Sequence, residues 1–101
     1  MPRLYEYFGL IVRFYSNEHE PIHVHGRYQD MEGKAEIIVA DGVIVEIRFR
    51  NIPTKRPLRG KPLADFKTLV RHEAESIVKS WNEFFREGKK PRTQIITRRF
   101  Q

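Results

Sequence analysis

The sequence predicts an α+β domain in which an antiparallel sheet of four to five strands packs one face on one long helix. Two observations carry that prediction. Through the first half of the chain, apolar residues recur at every second position, the period of a half-buried strand. From Pro62 onward they recur every third or fourth position, the period of a helix with one apolar stripe. A sheet face and a helix stripe bury each other when packed together, and 101 residues without repeats or low-complexity linkers suit a single domain over 1–101.

Phe8 to Tyr15 places Phe8, Leu10, Val12 and Phe14 on one side, with Gly9, Ile11, Arg13 and Tyr15 on the other. Ile22 to Tyr28 sets Ile22, Val24, Gly26 and Tyr28 against His23, His25 and Arg27. Residues 29–33 read as a loose turn, after which Lys34 to Ala40 offers Ala35, Ile37 and Val39 to a core. Asp41-Gly42 between alternating apolar residues marks a two-residue hairpin. Its second strand, Val43 to Arg50, offers Val43, Val45, Ile47 and Phe49 and leaves Ile44, Glu46, Arg48 and Arg50 opposite.

Pro53, Pro57 and Gly60 make 52–61 an irregular connection. The helix is expected over 62–87, with Pro62 tolerated in its first turn and Gly88 placed to stop it. Residues 89–101 form a basic tail, in which Thr93 to Phe100 is a candidate last strand. The expected core contains Leu10, Val12, Val24, Ile37, Val45, Ile47, Phe66, Val70, Ile77 and Trp81.

Composition excludes several classes. A hydrophobic content of 40% sets the chain apart from disordered sequences. No apolar run approaches the ~18–20 residues of a membrane span, so no membrane partner is expected. The absence of cysteine removes disulfides and thiolate zinc sites. The start shows no signal-peptide pattern, which predicts a cytoplasmic protein. The net charge of +6 is unevenly placed, because residues 1–50 carry a net −2 and residues 51–101 a net +8. Cations cluster at Lys55, Arg56, Arg59 and Lys61, and again at Arg86, Lys89, Lys90, Arg92, Arg98 and Arg99. Such clusters suit nucleic-acid phosphates or an acidic partner, and equally a solvated face.

The most informative segment is His19-Glu20-Pro21-Ile22-His23-Val24-His25. Residues two apart on a strand share a face, so His23 and His25 project side by side, and His19 lies at the turn before them. Three imidazoles offer nitrogen ligands to a divalent metal (Zn, Ni or Mn) with a fourth position open to water, and Glu18 or Glu20 would serve as a further ligand or base. No recognised metalloenzyme spacing accompanies them, and surface or hydrogen-bonding histidines are the commoner case. Without metal, the same face displays His23, His25 and Arg27 as candidate catalytic residues. Arg13, Arg48 and Arg50 join it as phosphate ligands and Tyr15 as a stacking platform. Lys89, Lys90 and Arg92 add a second candidate nucleic-acid surface. Pairing of these arginines with Glu36 and Glu46 across strands is the bland alternative. His72 is expected to face solvent and Trp81 to anchor the core.

The opening Met-Pro-Arg, then Phe8-Gly9-Leu10-Ile11-Val12, then Glu18-His19-Glu20-Pro21-Ile22-His23-Val24-His25, resembles domain-of-unknown-function family 4160. The likeness covers roughly residues 1–85, and the tail extends past the family's usual end. The family has Pro in many members where this chain has Ile22. The resemblance implies a short bacterial or phage protein of the cytoplasm, in some cases encoded beside a second small protein in a toxin–antitoxin-like pair. It transfers no catalytic residue.

The leading expectation is therefore a basic component of such a pair that binds a cognate small protein, DNA or RNA. The alternative is a small His-dependent nuclease or metal-assisted hydrolase centred on His19, His23 and His25.

Overall fold

The computed structural model describes residues 2–14 and 21–100. Within them run β1 (Arg3–Tyr7), β2 (Leu10–Arg13), β3 (Ile22–Tyr28), β4 (Met31–Ala40), β5 (Val43–Asn51), α1 (Gly60–Glu87) and β6 (Gln94–Ile96). All six strands form one sheet in the order β5-β4-β3-β2-β1-β6. The first five strands pair antiparallel with their chain neighbours, and β6 joins β1 in parallel. The α+β class holds, with a sheet that is mixed and larger than the four or five antiparallel strands expected.

The additional strand arises at the N-terminus. Phe8 and Gly9 do not extend a strand; they form the turn between β1 and β2, with φ of 50° and 89°. Positive φ at both central residues suits the twist of a two-residue hairpin, which glycine accepts freely and Phe8 does not. The Phe8 ring is 44% exposed, beneath the Arg99 guanidinium at 4.0 Å from its centroid. The expected loose turn at 29–33 tightens to Gln29-Asp30, so β4 begins at Met31. The last strand is confined to Gln94–Ile96.

The β4–β5 hairpin corrects the expected core. Ile38 pairs with Glu46 but Val39 pairs with Ile44, so Val45 is the extra residue of a β-bulge. Below the bulge Ile47 and Phe49 lean on the core as predicted; above it the alternation reverses, and Ile44 packs inward instead. Val43 and Val45 are left 62% and 60% exposed. The other expected core residues are buried, apart from Ile47, which is partly so.

Helix α1 buries Phe66, Leu69, Val70, Ala74, Ile77 and Trp81, the stripe read from the sequence. It is seated closely on the sheet at Gly26, where a Cβ would fall 2.5 Å from the Phe66 ring. Gly88 ends the helix in the left-handed conformation at φ 72°. Its N–H donates to the Phe84 carbonyl, and the Lys89 N–H donates to that of Glu83. No helix among the described residues is long and apolar enough to cross a membrane.

Candidate functional site

The predicted site residues fall on two separate surfaces. Strand alternation puts His23, His25 and Arg27 on the sheet face opposite α1, because Ile22, Val24 and Gly26 of the same strand face the helix. Register then adds neighbours: Arg13 lies opposite His25 on β2, while Glu36, Lys34 and Glu32 of β4 lie opposite His23, His25 and Arg27. Arg48 and Arg50 of β5 extend the row beyond Glu36 and Lys34.

His23 and His25 do meet, with ring centroids 5.4 Å apart. His23 Nδ1 lies 2.8 Å from the Pro21 carbonyl oxygen, which can only accept, so this nitrogen carries the proton and Nε2 is the basic one. Its ring also packs 5.6 Å from Trp81. His25 Nδ1 lies 3.3 Å from Glu32 Oε2, a contact that is an ion pair only when the ring is protonated, and that carboxylate is 5% exposed. A carbonyl and a carboxylate on the Nδ1 side are the partners that orient imidazoles for acid–base chemistry or metal ligation. Both rings are nevertheless largely enclosed, with His23 only 9% exposed.

The surrounding arginines are engaged. Arg50 Nε donates to Glu36 Oε1 at 2.7 Å, and the Arg48 guanidinium donates to both oxygens of Glu46 at 2.9 and 3.2 Å. The Arg50 hydrogen bond holds the Glu36 carboxyl below its ordinary range, reinforced by the charges of Arg50 and Lys34. The Arg48 hydrogen bond does the same for Glu46. Arg27 Nε donates to the Gln29 carbonyl. This open face is a network of opposite charges in which Arg48 and Arg50, two of the expected phosphate ligands, already hold carboxylates.

His19, Glu18, Glu20 and Tyr15 lie outside the described residues, so the three-histidine arrangement has no described geometry. Among the described residues no group of three His, Cys, Asp or Glu side chains is placed to hold a metal ion. His72 is exposed and stacks on Phe100 at 4.4 Å, and Trp81 is buried in the core.

The second surface carries the remaining candidates. Because β6 pairs with β1, the chain leaving α1 at Gly88 returns along the helix flank. Lys89, Lys90 and Arg92 then line a groove of about 390 Å³ together with Lys79 and Ser76 of α1 and Tyr5 of β1. Lys79 was not legible as a member, since its partners are ten residues on in sequence and meet it only through the return of the tail. The four cations are exposed, and Lys89 makes a loose ion pair with Glu87 at 3.5 Å. Among the described residues no carboxylate pairs with Lys79, Lys90 or Arg92. Glu83 is the one acid lining the groove. A wider cleft of about 670 Å³, between the β4–β5 hairpin and α1, is lined by Val39, Val43 and Val78 with Glu75, Glu83 and Glu87 against the single cation Lys79, a net negative lining that disfavours phosphate.

Neither the curated proteins nor the solved structures compared with the chain include a match. The family model described as Domain of unknown function (DUF4160) matches residues 9–82, a span that holds His23, His25, Glu32 and nearly all of α1 but not the tail that closes the basic groove. On that match the chain belongs to the DUF4160 family.

Proposed function

We propose that this protein binds nucleic acid through the groove between α1 and the tail, as the basic member of a toxin–antitoxin-like pair. The observation that supports the reading is the convergence of Lys79 with Lys89, Lys90 and Arg92 along one groove facing a single acid. Ammonium and guanidinium groups in such a row neutralise successive phosphates and release their counterions, which supplies affinity without reading sequence. The one aromatic lining the groove, Tyr5, belongs to the core, so no ring is presented for base stacking. Binding is therefore tolerant of sequence and strongly dependent on salt. The family likeness supports the pairing with a cognate small protein. An electrophoretic mobility assay with duplex DNA and with single-stranded RNA at low salt tests the proposal. A shift that disappears as salt rises is expected, and no shift with either probe overturns it.

The oriented pair His23–His25, with Glu32 behind His25, favours a second reading as a small His-dependent nuclease or hydrolase, with a divalent metal if His19 joins the pair. Its signature is RNA degradation by untagged protein that is lost in both His23→Ala and His25→Ala. Elemental analysis of the same preparation separates the metal-assisted from the metal-free form. Cleavage that survives both substitutions removes this reading and leaves the binding proposal untouched.

A further inference from the structure

Strand β5 is an edge of the sheet, and among the described residues no strand pairs with its outer side. It is nine residues long and rich in β-branched side chains, and it exposes Val43 and Val45. A long, apolar edge of this kind is a template for another strand. We propose that it pairs with β5 of a second copy of this chain, antiparallel about a two-fold axis at Ile47, joining two sheets into one.

The charges on β5 select the partner and the register. Along its open face the strand carries Glu46, Arg48 and Arg50. Directly opposed residues in an antiparallel pair share a face, so opposite charges there attract and like charges repel. A two-fold axis at Ile47 sets Glu46 opposite Arg48 of the second copy, and by symmetry Arg48 opposite its Glu46. Arg50 lies beyond these central pairs, level with the bulge region of the second copy, and no like charges are opposed. Moving the axis to Glu46 opposes two glutamates; moving it to Arg48 sets Glu46 opposite Arg50 twice but drives the two Arg48 guanidinium groups together at the centre; moving it to Phe49 opposes Arg48 and Arg50 twice. An axis at Val45 opposes no charges of either kind. Only the Ile47 register forms two opposite-charge pairs without opposing like charges.

The side facing the helix agrees. In this register Ile47 meets its own copy. The bulge at Val45 lies outside the three central pairs, so it does not interrupt them. The same self-complementary patch serves both subunits, as an isologous dimer requires. The existing bond from Arg48 to Glu46 within one strand is between exposed side chains, so exchanging it for the partner's charge requires no rearrangement of the core.

Sedimentation equilibrium across a range of concentrations tests this with three proteins: wild type, Arg48→Glu, and the exchange Glu46→Arg/Arg48→Glu. Circular dichroism checks that each is folded. A wild-type dimer is expected, weakened about tenfold or more in Arg48→Glu, where two like pairs replace two opposite ones. The double exchange re-creates both pairs with their signs swapped and is expected to restore dimerisation. A wild type that stays monomeric overturns the proposal. So does a dimer indifferent to Arg48→Glu, or one that the double exchange fails to rescue.

Discussion

Replacing Gly26 by alanine tests how closely α1 is seated on the sheet. The substitution adds one methyl group on the helix-facing side of β3, at 2.5, 2.6 and 3.0 Å from three atoms of the Phe66 ring. Ordinary contact between such carbons lies near 3.5–4.0 Å, so the ring or the helix must retreat by about 1 Å. The ring is fully buried and abutted edge-on by Phe49 at 5.8 Å, and the room beside it is a small space of about 110 Å³ that it lines with Phe49, Leu58 and Leu63. Overpacking of this kind costs about 1–3 kcal/mol. For a chain of this length a 2 kcal/mol loss lowers Tm by roughly 8–16 °C. The sign is informative, because Gly→Ala at a strained-free backbone position otherwise stabilises by about 0.4–1 kcal/mol through the unfolded chain. Calorimetry of Gly26→Ala gives the value, and repeating the substitution in a Phe66→Leu background should shrink the loss. An unchanged or raised Tm in Gly26→Ala would refute the close seating of the helix.

Other outcomes follow from single features of the structure. Burial, reinforced by Glu73, pushes the Tyr5 hydroxyl up to about 12 from 10.0. The folded state thus keeps a proton that unfolded tyrosine gives up, and the stability held by neutral Tyr5 is full below about pH 10 and lost as pH rises towards 12. In chemical denaturation the stability difference between wild type and Tyr5→Phe should be constant below that window and change across it. Glu36 is shifted down by Arg50, so its contribution is present above the ordinary value of 4.5 and lost as pH falls through its lower folded value. Glu36→Gln should flatten the acid limb of the stability curve there, by less than about 1 kcal/mol because Arg50 is half exposed. Val43→Thr should change stability by no more than about 0.5 kcal/mol, since the bulge turns this side chain to solvent. A loss of 2 kcal/mol would mean that the bulge is misplaced.

Local chemistry made much of this fold legible in the sequence. The helix stripe from Phe66 to Trp81, its stop at Gly88 and the Asp41-Gly42 hairpin depend on residues close in the chain, and each lies where its pattern indicates. Phe8 misled because an aromatic residue in an alternating run signals strand, whereas here it occupies a left-handed turn position that is not its own preference. The bulge at Val45 was hidden for a related reason, since one unpaired residue inverts the faces of everything beyond it while the apolar run reads unbroken.

The candidate site divides along the same line. Period two placed His23 beside His25, but it could not supply Glu32, whose carboxylate reaches His25 from the neighbouring strand. The same alternation offers the pairing of Arg48 and Arg50 with Glu46 and Glu36 as one reading, although Arg48 meets Glu46 within one strand and not across two. The basic groove needed the parallel return of β6, a pairing with β1 across the length of the chain.

The salt dependence of nucleic-acid binding tests the central proposal most directly. Four phosphate contacts in the groove correspond to a slope of log Kobs against log[salt] of about −3.6 on duplex DNA, or about −2.8 on a single strand. Between 50 and 200 mM salt that is a loss in affinity of roughly a hundredfold. Removing two cations in Lys89→Ala/Lys90→Ala should make the slope shallower by about 1.4–1.8. A slope that the double substitution leaves unchanged would place the binding surface elsewhere and contradict the assignment of the groove.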